Sequence, residues 1–287
     1  MPHLSLEYWY LFPVALGIAT LAMATGIGGA VFFSPLFMLA LKLDPRIAIG
    51  AALITELFGF TSGLLAYLKA KLVDFSLAGS LLLFSVPAAI AGAYYADLVP
   101  AIILKAVFAT GLLFIGYQLF SSWRKEERMK HEAQHREEFK DDYESELTDS
   151  YGHTYRYTVC NRNMGRSFAA VGGAFVGMIS VGLAELQEYH LVARCKVPTP
   201  VAVATSIFVV VITVLVASVG HIYEFAKVGG EALEQVLSIV LFTIPGVVLG
   251  GQIGPKLQKK LPEDKMKMGI ALLFIAIGAF MLYTLTL

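Results

Sequence analysis

The sequence predicts an all-α integral membrane protein made of two related repeats, which we expect to be inverted relative to each other. Three observations lead to this fold class. The composition is 57% hydrophobic and only 15% charged, whereas a soluble domain usually carries about a quarter charged residues. Long apolar runs alternate with short polar loops, and similar motifs occur in both halves. The formal net charge of zero gives no basic surface for nucleic acid.

The charged residues are concentrated in one stretch of the chain. Residues 121–166 contain 19 of the 44 Asp, Glu, Lys and Arg side chains. Outside that stretch, the apolar runs approach the ~20 residues that a helix needs to cross ~30 Å of hydrocarbon. We therefore expect eight full crossings. Their runs are residues 8–29, 47–68, 75–96, 101–121, 167–181, 201–220, 232–253 and 266–287.

Two shorter apolar pieces, residues 31–41 and 183–193, follow the first and fifth runs without a polar loop. At about 11 residues each, they are too short to cross a membrane alone. Each is either the far end of one long helix or a separate broken or re-entrant helix, which is allowed where protein or a cavity covers the backbone. Counting them gives about five membrane segments in each repeat.

The positions of Lys and Arg favour five segments in each half. Cytoplasmic loops collect these residues, and an odd number of segments places most basic loops on the side of the charged stretch. These residues are Lys69, Lys71, Arg194, Lys196 and the lysines at 256–267. The other side keeps Lys42, Arg46, Lys105 and Lys227. We therefore expect a multi-pass protein of the cell (cytoplasmic) membrane, with both termini outside.

Matching motifs appear in the two halves when the chain is shifted by 154 positions. This shift lays residues 26–30 on 180–184 and Lys42 on Lys196 without gaps. An odd number of segments in each copy would make the copies inverted, as in many secondary transporters.

The duplication also suggests the domain boundaries. We expect a first transmembrane repeat at 1–121, a charged cytoplasmic connector at 122–165 and a second transmembrane repeat at 166–287. The connector has too little apolar content to pack a core, so we expect a solvated helix or partial disorder there.

The first helix break carries candidate substrate-binding residues. We expect the helix to break at Thr25, Gly26, Gly28 and Gly29, which leaves backbone amide N–H groups without helical partners. Pro35, soon after, supports an irregular geometry. Unpaired N–H groups followed by a helix N-terminus form a binding site that suits an anion. The alternative is that the glycines only allow close helix packing, as small residues do in membranes.

Three carboxyl groups at apparent membrane depth are candidates for carrying a coupling proton. Ionisable residues are costly in a membrane and are functional candidates by default. Glu56 lies inside a long apolar run, and Glu185 and Glu188 lie in the second break. The alternative for all three, weakest for Glu56, is a position at the membrane rim, in contact with water.

Two hydroxyl residues, Thr205 and Ser206, lie in the first turns of the corresponding helix of the second half. Their hydroxyl groups could bind an oxyanion. Alternatively, they hydrogen-bond a backbone carbonyl one turn earlier.

Residues 131–135 read His-Glu-Ala-Gln-His, which fits the H-E-x-x-H pattern of zinc proteases. Charged residues surround this segment, so a helix here has no apolar face to bury in a catalytic domain. We therefore expect no catalytic residues, no metal and no cofactor, and we interpret the chain as not being an enzyme.

Several of these motifs together resemble the TauE/SafE sulfite exporter family. They are residues 26–29 with Pro35, residues 44–48, residues 71–74 and residues 200–206. The resemblance covers nearly all of the chain except roughly 122–165. It implies a multi-pass permease for small sulfur-containing or organic anions such as sulfite, thiosulfate or sulfonates, with proton coupling as the usual assumption.

We therefore expect a secondary transporter that moves a small anion by alternating access. Its partners would be this small anionic solute and the lipid bilayer, and we also consider a coupling proton or cation and a homodimer. An anion channel is the first alternative, and a membrane metalloprotease using residues 131–135 is the second. We expect no nucleic-acid partner.

Overall fold

The computed structural model describes residues 6–25, 29–132, 145–228, 230–258 and 263–285. In this part, the chain is helical apart from one small hairpin. The helices are α1 Leu11–Thr25, α2 Ala30–Pro35, α3 Pro45–Lys69, α4 Phe75–Leu98, α5 Ala101–Glu132, α6 Arg162–Ile179, α7 Leu183–Glu188, α8 Thr199–Val228, α9 Gly230–Gln258 and α10 Glu263–Tyr283. A 3-10 turn, Leu6–Tyr10, precedes α1.

Six helical segments of the described chain are long and apolar enough to cross a membrane. They are Leu6–Ala24, Pro45–Lys69, Phe75–Ala96, Ala101–Ser121, Thr199–Tyr223 and Leu233–Gly254. The runs predicted at 167–181 and 266–287 also form helices, α6 and α10, but neither combines the length and mean hydropathy of these six. The predicted helical membrane protein is therefore confirmed, with six apolar spans by this measure.

Polar side chains set where several helices begin. Asp44 precedes Pro45 and accepts a hydrogen bond from the Arg46 N–H at 2.9 Å. Asp74 accepts two, at 3.0 Å each, from the first amides of α4. Such caps satisfy N–H groups that have no partner inside the helix, and a proline suits the first helical position because it has no N–H to satisfy.

The connector contains a β-hairpin, which the sequence analysis did not predict. Strands β1 (Ser145–Thr148) and β2 (Thr154–Tyr157) pair in antiparallel register. At the turn, the Asp149 carboxylate accepts the N–H groups of Tyr151 at 2.8 Å and His153 at 2.9 Å. Partial desolvation raises the pKa of Asp149, but these hydrogen bonds outweigh it and leave the pKa below its usual value.

The hairpin is held against the ends of the membrane helices. The Ser150 N–H donates to the Ala70 carbonyl at 3.0 Å, and the Tyr157 hydroxyl donates to Asp74 at 2.8 Å. A disulfide joins Cys160 to Cys195 with a Cα–Cα distance of 5.0 Å. The loop after α3, the hairpin and the loop before α8 therefore lie at one face of the molecule, which we call the connector face.

The major helix contacts join the two halves of the chain. Helix α1 packs against α9, and α6 packs against α4. Similarly, α3 packs against α9 and α8 against α4, while α3 also meets α8 and α5 meets α10. The counterparts in the two halves are α1 and α6, α3 and α8, α4 and α9, and α5 and α10. Exchanging each helix for its counterpart reproduces the same set of contacts.

Candidate functional site

Helix α1 is described to Thr25 and helix α2 begins at Ala30, and the predicted break at residues 26–28 lies outside the described residues. The first amide of α2, the Ala30 N–H, donates to Oε1 of Glu56 at 3.0 Å. Glu56 lies in α3 and is only 4% exposed, so its side chain is enclosed by protein. Its carboxyl group occupies the position at the helix N-terminus where the sequence analysis places an anion.

The second break separates α6 from α7. Ser180 and Gly182 adopt left-handed backbone angles, with φ of 62° and 110°. Oε2 of Glu185 accepts the Gly182 N–H at 3.1 Å, so this carboxyl group caps its own helix. Glu185 is buried, whereas Glu188 is half-buried.

The two breaks meet inside the protein. The hydroxyl groups of Ser34 and Ser180 are 2.7 Å apart and buried, although they are 146 positions apart in the chain. Glu56 and Glu185 are close enough to interact electrostatically. Residues from both halves therefore meet here. We call the region formed by Ser34, Glu56, Ser180 and Glu185 the break contact.

The backbone after each break follows the same course. Helix α2 is followed by a π-helical turn at Leu36–Ala40, and α7 is followed by one at Tyr189–Arg194. Each turn is followed by a lysine with a left-handed backbone, Lys42 with φ of 53° and Lys196 with φ of 56°. The 154-residue repeat seen in the sequence is thus matched by local structure.

Two further hydroxyl pairs connect the halves. Thr55 of α3 and Thr243 of α9 are 2.8 Å apart, and Ser85 of α4 and Thr213 of α8 are 2.9 Å apart. Thr55 and Thr213 are 158 positions apart in the chain, and so are Ser85 and Thr243, so the two pairs are equivalent under the repeat. The residue types alone did not predict that these hydroxyl groups contact each other.

Some buried polar groups have no hydrogen-bond partner within the described chain. Both side-chain atoms of Gln187 and the hydroxyl oxygen of Ser206 belong to this group. Leaving such groups unpaired costs about 1–3 kcal/mol each, so a polar ligand that paired with them would remove this cost. Gln187 lies in the second break, two residues after Glu185, and is a candidate that the sequence analysis did not select.

The other predicted site residues have varied surroundings. Gly29 and Pro35 are buried beside the break. Thr205 accepts the N–H of Asp74 at 3.0 Å, so its hydroxyl already has a structural partner. Gly26 and Gly28 lie outside the described residues, as does the side chain of Thr25.

A small cavity lies beside Glu56. It is lined by residues that include Gly29, Phe33 and Glu56, and it measures about 10 Å³, which is about the space that one water molecule needs.

The zinc-protease pattern at 131–135 lies only partly within the described residues. His131 lies in the last turn of α5, and His135 lies outside the described residues. Over the described ranges, no group of three His, Cys, Asp or Glu residues could hold a metal ion.

Comparison with known proteins agrees with the predicted resemblance. The family model described as sulfite exporter TauE/SafE matches residues 11–281. The chain belongs to the TauE/SafE family. This TauE/SafE chain is 25% identical over 283 residues to the Bacillus subtilis (strain 168) protein named "Probable membrane transporter protein YunE", covering 96% of this chain and 97% of that relative. No solved structure matches it. Together with the six apolar spans, TauE/SafE membership supports a multi-pass membrane transporter.

Proposed function

We propose that the protein is a secondary transporter that moves a small anion, such as sulfite, thiosulfate, a sulfonate or a similar organic anion, across the cell membrane by alternating access. The observation that carries this proposal is the break contact, where interrupted helices of the two halves meet through Ser34 and Ser180. Broken helices at the interface of two repeats are the usual substrate site of such transporters.

The proposal includes inverted repeats, 1–121 and 166–287. The exchange of helix contacts between the halves supports it, because a two-fold relation in the membrane plane requires each contact to have a counterpart. The matched π-helical turns and hydroxyl pairs support it independently.

Glu56 is the proposed proton carrier at this site. Its carboxylate holds the Ala30 N–H, the same kind of donor that a substrate anion would use. A protonated Glu56 no longer competes as an anion, so proton uptake and anion binding are coupled. Glu185, close enough to interact with Glu56, is the alternative carrier.

Ser206 and Gln187 are the proposed polar ligands of the substrate. Gln187 lies seven residues before the end of the π-helical turn at Arg194, and Ser206 lies seven residues after the start of α8. Both therefore lie about two helical turns from the connector face. Because α7 packs against α8, a solute between these helices can reach both groups.

Transport assays in liposomes test the function. We expect sulfite or sulfonate uptake that saturates, responds to an imposed pH gradient and accelerates when unlabelled substrate is present on the other side. Ser206→Ala should raise KM about tenfold, since a hydrogen bond to a charged group contributes about 1.5–3 kcal/mol.

Ser218→Ala is the matched control, because Ser218 of the same helix α8 also has a buried hydroxyl without a hydrogen-bond partner among the residues that the structure describes. Its KM should stay unchanged. Uptake that neither saturates nor exchanges would contradict a carrier and favour an anion channel.

We also propose that the connector face is cytoplasmic, because it carries Lys69, Lys71, Arg194 and Lys196. The Cys160–Cys195 disulfide lies at this face. Cytosolic reductants keep such pairs as thiols, so we expect both cysteines to be reduced in the cell and to pair after oxidation.

Alkylating intact cells with a permeant maleimide before lysis, followed by mass spectrometry, measures this state. Two alkylated cysteines agree with the proposed orientation. A bond that survives in unstressed cells places the connector face outside.

A further inference from the structure

A second cavity lies at the connector face, between the hairpin and the first turns of α4 and α6. Its volume is about 600 Å³, within the ~300–1,000 Å³ typical of small-molecule sites. The proposed transport site does not include it. Its charged and hydroxyl-bearing lining includes Asp74, Ser80, Glu146, Arg162 and Arg166.

Two arginines line this cavity. Arg162 and Arg166 are four positions apart in α6 and therefore lie on one face of the helix. Arg166 donates to Ser80 through a long hydrogen bond of 3.4 Å and to Asn163 at 3.2 Å, and it lies 5.8 Å from the ring centre of Phe84. Within the described ranges these contacts are all with uncharged groups, so no neighbouring carboxylate is seen to neutralise Arg166.

The two carboxylates in the lining are already engaged. Asp74 accepts two amides of α4 and the Tyr157 hydroxyl. Burial, followed by the Asp74 interaction, raises the pKa of Tyr157, so the hydroxyl keeps its proton and remains a donor. Glu146 accepts the Arg156 Nε–H at 3.1 Å. The charge of Glu146 is therefore balanced by Arg156, and the oxygens of Asp74 are occupied by neutral hydrogen-bond donors.

We propose that this cavity binds a phosphate-like oxyanion, held by the Arg166 guanidinium and the Ser80 hydroxyl, with Arg162 adding a second positive charge. A guanidinium presents several N–H donors in a plane, which suits the oxygens of such an anion. Either a dissolved oxyanion or the phosphate of an anionic lipid headgroup supplies this chemistry. The site is separate from the break contact and does not depend on the transport proposal.

Calorimetric titration of the purified full chain in detergent with inorganic phosphate tests the site. We expect Arg166→Gln to weaken binding about tenfold and Ser80→Ala to weaken it about fivefold, as hydrogen bonds to a charged ligand predict. Arg194→Gln is the matched control: Arg194 is an exposed arginine at the same face and outside the cavity lining. It should change binding less than twofold, as should Ser206→Ala at the transport site.

Three results would overturn the site: no phosphate binding to the unmodified chain, equal weakening by Arg166→Gln and Arg194→Gln, or loss of binding in Ser206→Ala alone. If Arg166→Gln lowers the melting temperature too far to be titrated, Ser80→Ala decides the question. Competition with short-chain phosphatidylglycerol, against phosphatidylcholine as control, identifies the source. Displacement of phosphate by phosphatidylglycerol assigns the site to a lipid headgroup, and no displacement assigns it to a dissolved anion; both results support the oxyanion site.

Discussion

Glu56→Gln is expected to abolish the acceleration of anion uptake by a pH gradient while leaving exchange between labelled and unlabelled anion intact. The amide oxygen of the substituted side chain can still accept the Ala30 N–H, so the geometry of the first break is retained. The amide cannot bind and release a proton in the accessible pH range, so proton movement is lost. Gradient-driven uptake should fall at least tenfold, to the rate measured without a gradient. Flux into liposomes with and without the gradient measures both quantities.

Two further variants serve as comparisons for Glu56→Gln. Glu7→Gln, which changes an exposed carboxyl before α1, should leave the response to the gradient unchanged. Glu185→Gln tests the other buried carboxyl. If only Glu185→Gln removes the response, the proton belongs to the second break and the assignment to Glu56 is wrong. If neither variant changes it, the coupling role of both carboxyls is disproved.

Gly250→Leu is expected to disrupt packing of the two halves. A Cβ at Gly250 of α9 would lie 2.6 Å from the carbonyl oxygen of Leu16 and 2.8 Å from the Cβ of Ala19, both in α1. The backbone of α1 can yield only if the whole helix shifts. Because the clash is with backbone, we expect the upper end of the usual cost of overpacking, about 3 kcal/mol, so the melting temperature in detergent should fall by roughly 6–12 °C.

Gly17→Leu is the control for this substitution, since Gly17 lies in the partner helix α1 and has nothing within 4 Å of an added Cβ. It should leave the melting temperature within about 2 °C of the unmodified protein. Equal melting temperatures for Gly250→Leu and Gly17→Leu would contradict the close contact of α1 and α9.

Local sequence signals predict the parts of the site that depend on local backbone geometry. The 154-residue shift predicts a second break near 180–184, and α6 ends at Ile179 and α7 begins at Leu183. The interior position of Glu56 also follows from its apolar neighbours, because a carboxyl group inside a long apolar run has no nearby water to face.

Contacts between distant segments could not be predicted in the same way. Ser34 and Ser180 touch because of the order in which the helices pack, which periodicity does not reveal. The hairpin forms because Ala70 and Asp74, both from the loop after α3, supply partners to residues far along the chain. Thr205 is bound by that same loop, so a residue suited to an oxyanion instead accepts a backbone amide.

The matched hydroxyl pairs bear on the energetics of the proposed alternating cycle. One pair spans α3 and α9, and the other spans α8 and α4. In that proposed cycle, a movement that separates one pair can leave its equivalent in place, and each bond contributes a similar net amount of about 0.5–1.5 kcal/mol. The two pairs would then contribute about equally to the inward-open and outward-open states. Solute and proton gradients, rather than a built-in bias of the scaffold, would decide which way the protein faces and in which direction net flux runs.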